Sequence, residues 1–362
     1  MSWASRLYRG ETNLDFIGTR KRWYAASGLI IIICALSFAL RGFNYGVEFK
    51  GGASFQFPTN GTSITADSLE TAFTDAGVPP GEAPQVVGSG SDQKIIVNTK
   101  TLKPQRLQTL LKTVADDVGV NENDVSTTAI GSQWGHDTTI SALEGLIVFL
   151  VAVTIYISLR FQWRMAVGGM IALLHDLLVA AGVYSIVGFE VTPSTIVGLL
   201  TILGFSLYDT VVVYDKVAEN SKDILAGSRT TYSEAANLAV NQTLMRSINT
   251  SLIALLPVAG LLFVGAGILG VGTIKDLALI LFVGLASGAY SSLFLATPIV
   301  VDLTERDPQY QQLTKRVVAK RSSEARKAAE AESAGTVLAG ARRGLPAPAP
   351  KVGVRPNRQR RK

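Results

Sequence analysis

Val191–Asn220 reads VTPSTIVGLLTILGFSLYDTVVVYDKVAEN. Its apolar run is long enough to cross a bilayer, which takes about 20 helical residues, yet Asp209 lies inside it. A carboxylate at the centre of a membrane helix costs about 2.5 to 3.5 kcal/mol on insertion scales, so it belongs where protein groups or water relieve it. Thr195, Gly198, Ile202, Ser206 and Asp209 recur three or four residues apart, which gathers them on one small, partly polar face turned to neighbouring helices. The stretch predicts a polytopic α-helical membrane protein and makes Asp209 the first functional candidate.

Five further spans are read around it, at 23–40, 143–159, 165–187, 246–269 and 277–301, with the quoted stretch spanning 191–213. Arg20, Lys21 and Arg22 before the first span and Arg160 and Arg164 after the second set both termini on the cytoplasmic side. Arg246, at the cytoplasmic start of the fifth span, is expected to pair with Asp209 inside the bundle. A buried carboxyl that takes a proton and a cationic partner that releases it would meet the requirement for ion coupling. His175 and Asp176 lie within the third span as two further ion-path candidates; as neighbours on a helix they point about 100° apart and should not face one partner. Gly284 and Gly288 in the sixth span allow close helix packing. Residues 214–245 are read as a cytoplasmic amphipathic loop with a Thr231–Glu234 capping box, and 302–362 as a flexible basic tail suited to anionic lipid rather than nucleic acid.

Residues 41–142 form the one sizeable soluble segment. Phe43, Tyr45, Val47, Phe49, Ala53, Phe55 and Phe57 share one parity and predict a strand bent at Gly51 and Gly52. Thr65 caps a helix bearing Leu69, Ala72 and Phe73; strands at 85–87 and 94–97 follow; Pro104 opens a second helix, and a strand ends at Ile130. This order predicts a ferredoxin-like α+β extracytoplasmic domain.

The chain has 362 residues, a net charge of +6, one cysteine and two histidines, which excludes a disulfide framework and gives no zinc-ligand spacing. No metal, cofactor or enzymatic activity is expected. GAGILG at 265–270 fits a dinucleotide fingerprint, but it ends a span instead of joining a strand to a helix, and is read as a turn.

DFIGTRKRWY (15–24), NYGVEFKGG (44–52), FQWRMAVGGMIALLHD (161–176), SLYDTVVVYDKVAEN (206–220) and TLMRSINTS (243–251) together resemble the SecF branch of the SecD/SecF protein-export family, within the RND superfamily. The resemblance implies a six-span RND-type half in a bacterial plasma membrane. It implies as partners a SecD-like subunit, the Sec translocon channel with its accessory membrane proteins, and the exported unfolded polypeptide. It also implies that proton- or sodium-motive force assists late export, with Asp209 and Arg246 matching the family's intramembrane pair. Glu48 stands in the acidic place of the outer glycine motif, where aspartate is common, and Ser132 stands where proline is common before the second span. Two other readings fit the same residues: an RND-type exporter of a small molecule or lipid, and a non-transporting translocon assembly factor.

Overall fold

The computed structural model describes residues 14–59, 64–81, 83–87, 93–268 and 272–343. The chain enters its first long helix, α1 (Arg20–Arg41), and leaves it at Gly42, whose positive φ of 67° turns the backbone. A helical turn, Val47–Lys50, ends at Gly51 with φ 70°, and β1 (Gly52–Pro58) begins. The single bent strand expected from Phe43 onward is therefore corrected. Its alternation is genuine in β1, but the positive φ at Gly51 separates it from the residues before.

Then follow α2 (Ala66–Asp75), β2 (Gln85–Val87), β3 (Lys94–Thr99), α3 (Pro104–Val118) and β4 (Ser126–Ile130). Thr65 caps α2 through the Ser68 amide, and Pro104 occupies the first turn of α3. The sheet is antiparallel in the order β2-β3-β1-β4. Phe55, Phe57, Ile95 and Val97 meet Leu69, Phe73, Leu110 and Val114 of the two helices in a closed core. The GSGSD connection between β2 and β3 lies outside the described residues.

The membrane-length helices are longer than the hydropathy windows. α4 (Ser132–Arg160) starts well before residue 143, because nothing in SQWGHDTTIS breaks the hydrogen-bond ladder. α5 (Trp163–Val187) and α6 (Pro193–Asn220) follow, the latter capped by Thr192 with Pro193 in its first turn. α7 (Tyr232–Gly260) starts at the Thr231–Glu234 capping box and runs on unbroken, so the loop expected over 214–245 shrinks to 221–231. Beyond Pro257, residues Leu261–Ile268 widen into a π-helix. α8 (Gly272–Ser291) is followed by a second π segment, Ser292–Ala296, and by α9 (Thr297–Glu305), whose Pro298 lacks the amide a tight turn would use. Among the described residues, six helices are thus long and apolar enough to cross a membrane. Gly270 of GAGILG lies outside the described residues.

The tail expectation is also corrected. Pro308–Arg343 forms a helix, α10, whose Leu313 and Val317 are fully buried against the bundle. Arg321 donates to both carboxylate oxygens of Glu234, at 2.6 and 2.8 Å, and Arg164 pairs with Asp307 at 2.6 Å. Residues 344–362 lie outside the described part.

Candidate ion-coupling site

α5, α6 and α8 form the inside of the bundle. α1 and α4 turn apolar side chains outward, among them Leu29, Ile32, Ile33, Val148, Val151 and Ile155. Close approach of α6 and α8 depends on missing side chains. A Cβ at Gly284 would fall on the Ile202 side chain, and one at Gly288 would sit 2.9 Å from Ser206 Cβ. This contact sets the depth at which polar groups on α6 meet their neighbours.

Asp176, on α5, is fully enclosed and saturated with donors. Ser206 Oγ of α6 donates to Oδ2 at 2.6 Å, Ser291 Oγ to Oδ2 at 2.7 Å, and Ser287 Oγ of α8 to Oδ1 at 2.7 Å. His175 Nδ1 lies 3.3 Å from Oδ1. The contact between His175 and Asp176 themselves was not part of the sequence reading. Both are buried and touch each other, because an enclosed carboxylate draws in every donor within reach. His175 Nε2 makes no hydrogen bond among the described residues, and its ring packs 6.0 Å from that of Tyr290.

Asp209 has the opposite surroundings. It is buried on the same α6 face as Thr195, Gly198, Ile202 and Ser206, all of them buried. Oδ2 has no hydrogen-bond partner among the described residues. Ser247 of α7 and Ser292 of the π segment are the hydroxyls facing it. Beside it lies a cavity of about 20 Å³, lined among others by Ser206, Tyr208, Thr250, Ser251 and Gly288 and large enough for a water molecule.

Arg246 is not joined to Asp209 in an ion pair. Its guanidinium is exposed on the flank of the bundle and donates to Tyr208 Oη at 3.0 Å. The helical step of about 100° explains this: Ser247 takes the inward position and Arg246 the outer one. The charge still faces Asp209 electrostatically from the next helix.

Glu48, Gly51 and Gly52 lie away from this site, where the helical turn enters β1. A Cβ on Gly52 would collide with the Thr99 carbonyl of the paired strand. Glu48 shares its surroundings with Glu190 and Asp276 at one end of the bundle.

Hydropathy gave no hint of the ties at the other end. Arg20 pairs with Asp302 at 2.9 Å and Tyr24 Oη donates to the same carboxylate at 2.7 Å, joining α1 to α9. Asn237 and Asn241 clamp Leu14–Ile17 through backbone hydrogen bonds. The polar residues of DFIGTRKRWY were the available signal, since arginine and tyrosine beside a span need partners.

Fold and site together define a multi-pass helical membrane protein with two buried carboxylates on adjacent helices, one saturated with donors and one not. Residues 110–306 match the C-terminal model of the protein export membrane proteins SecD/SecF, and residues 36–62 match the SecD/SecF GG motif. The chain is 46% identical to protein translocase subunit SecF of Streptomyces coelicolor, over 91% of this chain and 87% of that one. It is 43% identical to the SecF subunit of Mycobacterium tuberculosis strain H37Rv, over 89% and 74%. The crystal structure of SecDF from Thermus thermophilus, a translocon-associated membrane protein, superimposes with a TM-score of 0.71 at 30% identity; it covers 82% of this chain, which spans only 39% of that longer one. The chain belongs to the SecD/SecF protein-export membrane protein family.

Proposed function

We propose that this chain works with a SecD-like subunit to assist protein export across a bacterial plasma membrane, using the transmembrane ion gradient through Asp209. The single observation that carries the reading is Asp209 itself. It is a buried carboxylate with an oxygen that has no hydrogen-bond partner among the described residues, beside a water-sized cavity and within the field of Arg246. One charge moving through 100 mV releases about 2.3 kcal/mol, enough to bias a two-state bundle more than tenfold.

In this reading a proton entering the cavity neutralises Asp209, its attraction for Arg246 falls, and α6 and α7 shift against each other. The ion is read as a proton because the Arg246 guanidinium is a competing cation near Asp209. Asp176 stays in place as the hinge post, tied to α6 and α8 through three serines.

The four-stranded domain is read as a ferredoxin-like unit on the outer side, where it meets emerging unfolded chain, and both termini as cytoplasmic. The longer SecDF relative supports a SecD-type partner. The chain carries out no covalent chemistry of its own, requires no cofactor, and meets the translocon channel and anionic lipid through its helical and basic surfaces.

The test is Asp209→Asn, which keeps size and removes titration. After confirming insertion and partner binding, export of a secreted reporter is measured with the proton-motive force intact. Export is expected to fall to the level of cells lacking the protein. Unchanged export would overturn ion coupling and leave the assembly-factor reading.

A further inference from the structure

The sheet domain is fastened to the helical bundle at a loop that hydropathy reads as a bare connection. Glu190 and Val191, between α5 and α6, pair in parallel with Asn44 and Tyr45. Asn44 Nδ2 donates to the Gly188 carbonyl and the Gly46 amide to the Val191 carbonyl, both at 2.9 Å. Those contacts hold only the tether leaving α1. Glu190 reaches the domain proper, where its Oε1 accepts from Asn98 Nδ2 of β3 at 2.9 Å and from Gln85 Nε2 of β2 at 3.3 Å. One carboxylate oxygen thus gathers the edge strand of the sheet and its neighbour.

The loop occupies a mechanically direct position. Thr192 caps α6 immediately after Val191, and α6 is the helix that carries Asp209. On the other flank, Tyr184 Oη of α5 donates to the backbone carbonyl of Asp276 on α8, the helix that packs on α6 through Gly284 and Gly288. Glu48, Glu190 and Asp276 bring like charges to this junction, and Lys275, held 4.9 Å over the Phe189 ring, and Lys50, 6.0 Å over the Tyr45 ring, bring cations to it.

We propose that Glu190 is a positioning residue that fastens the sheet domain to α6, so that a shift of α6 reaches the domain through this loop and not only through α1 and α4. The proposal rests on the coupling reading above and adds the route by which motion leaves the membrane. Accepting two amide donors needs an oxygen, not a charge. Glu190→Gln therefore keeps the fastening and eases the repulsion with Glu48 and Asp276, whereas Glu190→Ala removes it.

The experiment uses the full chain with its SecD-type partner in membrane vesicles, and reads reporter export and proton uptake separately. Glu190→Ala is expected to lower export at least fivefold while proton uptake persists, and Glu190→Gln to stay within twofold of wild type in both. Because the alanine variant could fold poorly, a second arm places cysteines at Asn98 and Glu190; Cys34, the only native cysteine, is buried. Export should be low with free thiols and recover when a short bismaleimide joins them. Export by Glu190→Ala at the wild-type level, equal losses in the alanine and glutamine variants, or no recovery on cross-linking would each overturn the proposal. Asp209→Asn runs alongside. If it loses neither uptake nor export, the coupling reading has failed, whereas a defect confined to the Glu190 arms concerns the fastening alone.

Discussion

Two aspartates on neighbouring inner helices differ in what surrounds them, and the roles proposed for them rest on that difference. Asp176 receives three serine hydroxyls and the His175 ring, while Asp209 Oδ2 receives no donor among the described residues. Hydrogen bonds to a charged acceptor contribute about 1.5 to 3 kcal/mol each. Ser287→Ala is accordingly expected to lower bundle stability by roughly that amount, read as a lower midpoint in detergent thermal unfolding, with a smaller effect on export than Asp209→Asn. The glycine contact is testable at the same scale. Gly284→Ala puts a methyl group where Ile202 lies, and overpacking of this kind costs about 1 to 3 kcal/mol. Adding Ile202→Ala should recover part of the loss, and the non-additivity of the double mutant measures the contact.

Among the elements, α10 shows most clearly how tertiary partners override composition. Its charged, alanine-rich sequence reads as a tail, yet Leu313 and Val317 are buried and Arg321 grips Glu234 and the Arg229 carbonyl. Arg321→Ala should free α10 from the start of α7, seen as faster backbone hydrogen exchange over 308–323 with the span helices unchanged. The entry to α10 has a pH dependence of definite sign. The Gln309 amide and, after it, the Arg164 guanidinium hold the Asp307 carboxyl below its ordinary range. A lowered carboxyl contributes stability above its unfolded value, about 3.9, and loses it as pH falls through the folded value. Exchange at the start of α10 should therefore rise as pH drops below about 4, and Asp307→Asn should remove that dependence. The two π segments also mark elements tuned by local chemistry, for each lies beside a proline and the second sets Ser292 toward Asp209.

At the scale of the whole molecule, two cores are built by different solvents. The sheet domain closes around Phe55, Phe57, Phe73 and Val97, all fully buried, as a water-soluble domain does. The bundle turns many large apolar side chains outward, while its inside combines small and polar residues with buried Leu173, Tyr184, Ile202 and Tyr214. Phe55→Ala should cost about 3 to 5 kcal/mol in the sheet domain alone. Limited proteolysis is expected to cut residues 52–130 in that variant while the helices stay protected, and loss of both together would mean one cooperative unit.

The sequence by itself determined the six helices of membrane-crossing length found among the described residues, the β-α-β-β-α-β order, the caps at Thr65 and Thr231, and the buried α6 face ending at Asp209. These are local quantities, set by hydropathy, by side-chain period and by the first-turn amides a cap satisfies. Only the tertiary structure decided that Arg246 lies apart from Asp209, that three serines from two other helices close on Asp176, that α10 docks, and that Glu190 reaches Asn98. Each of these depends on the rotation and separation of elements distant in the chain. Those are settled by close packing at glycines and by the need of buried polar groups for partners, and no window along the sequence contains both sides of such a contact.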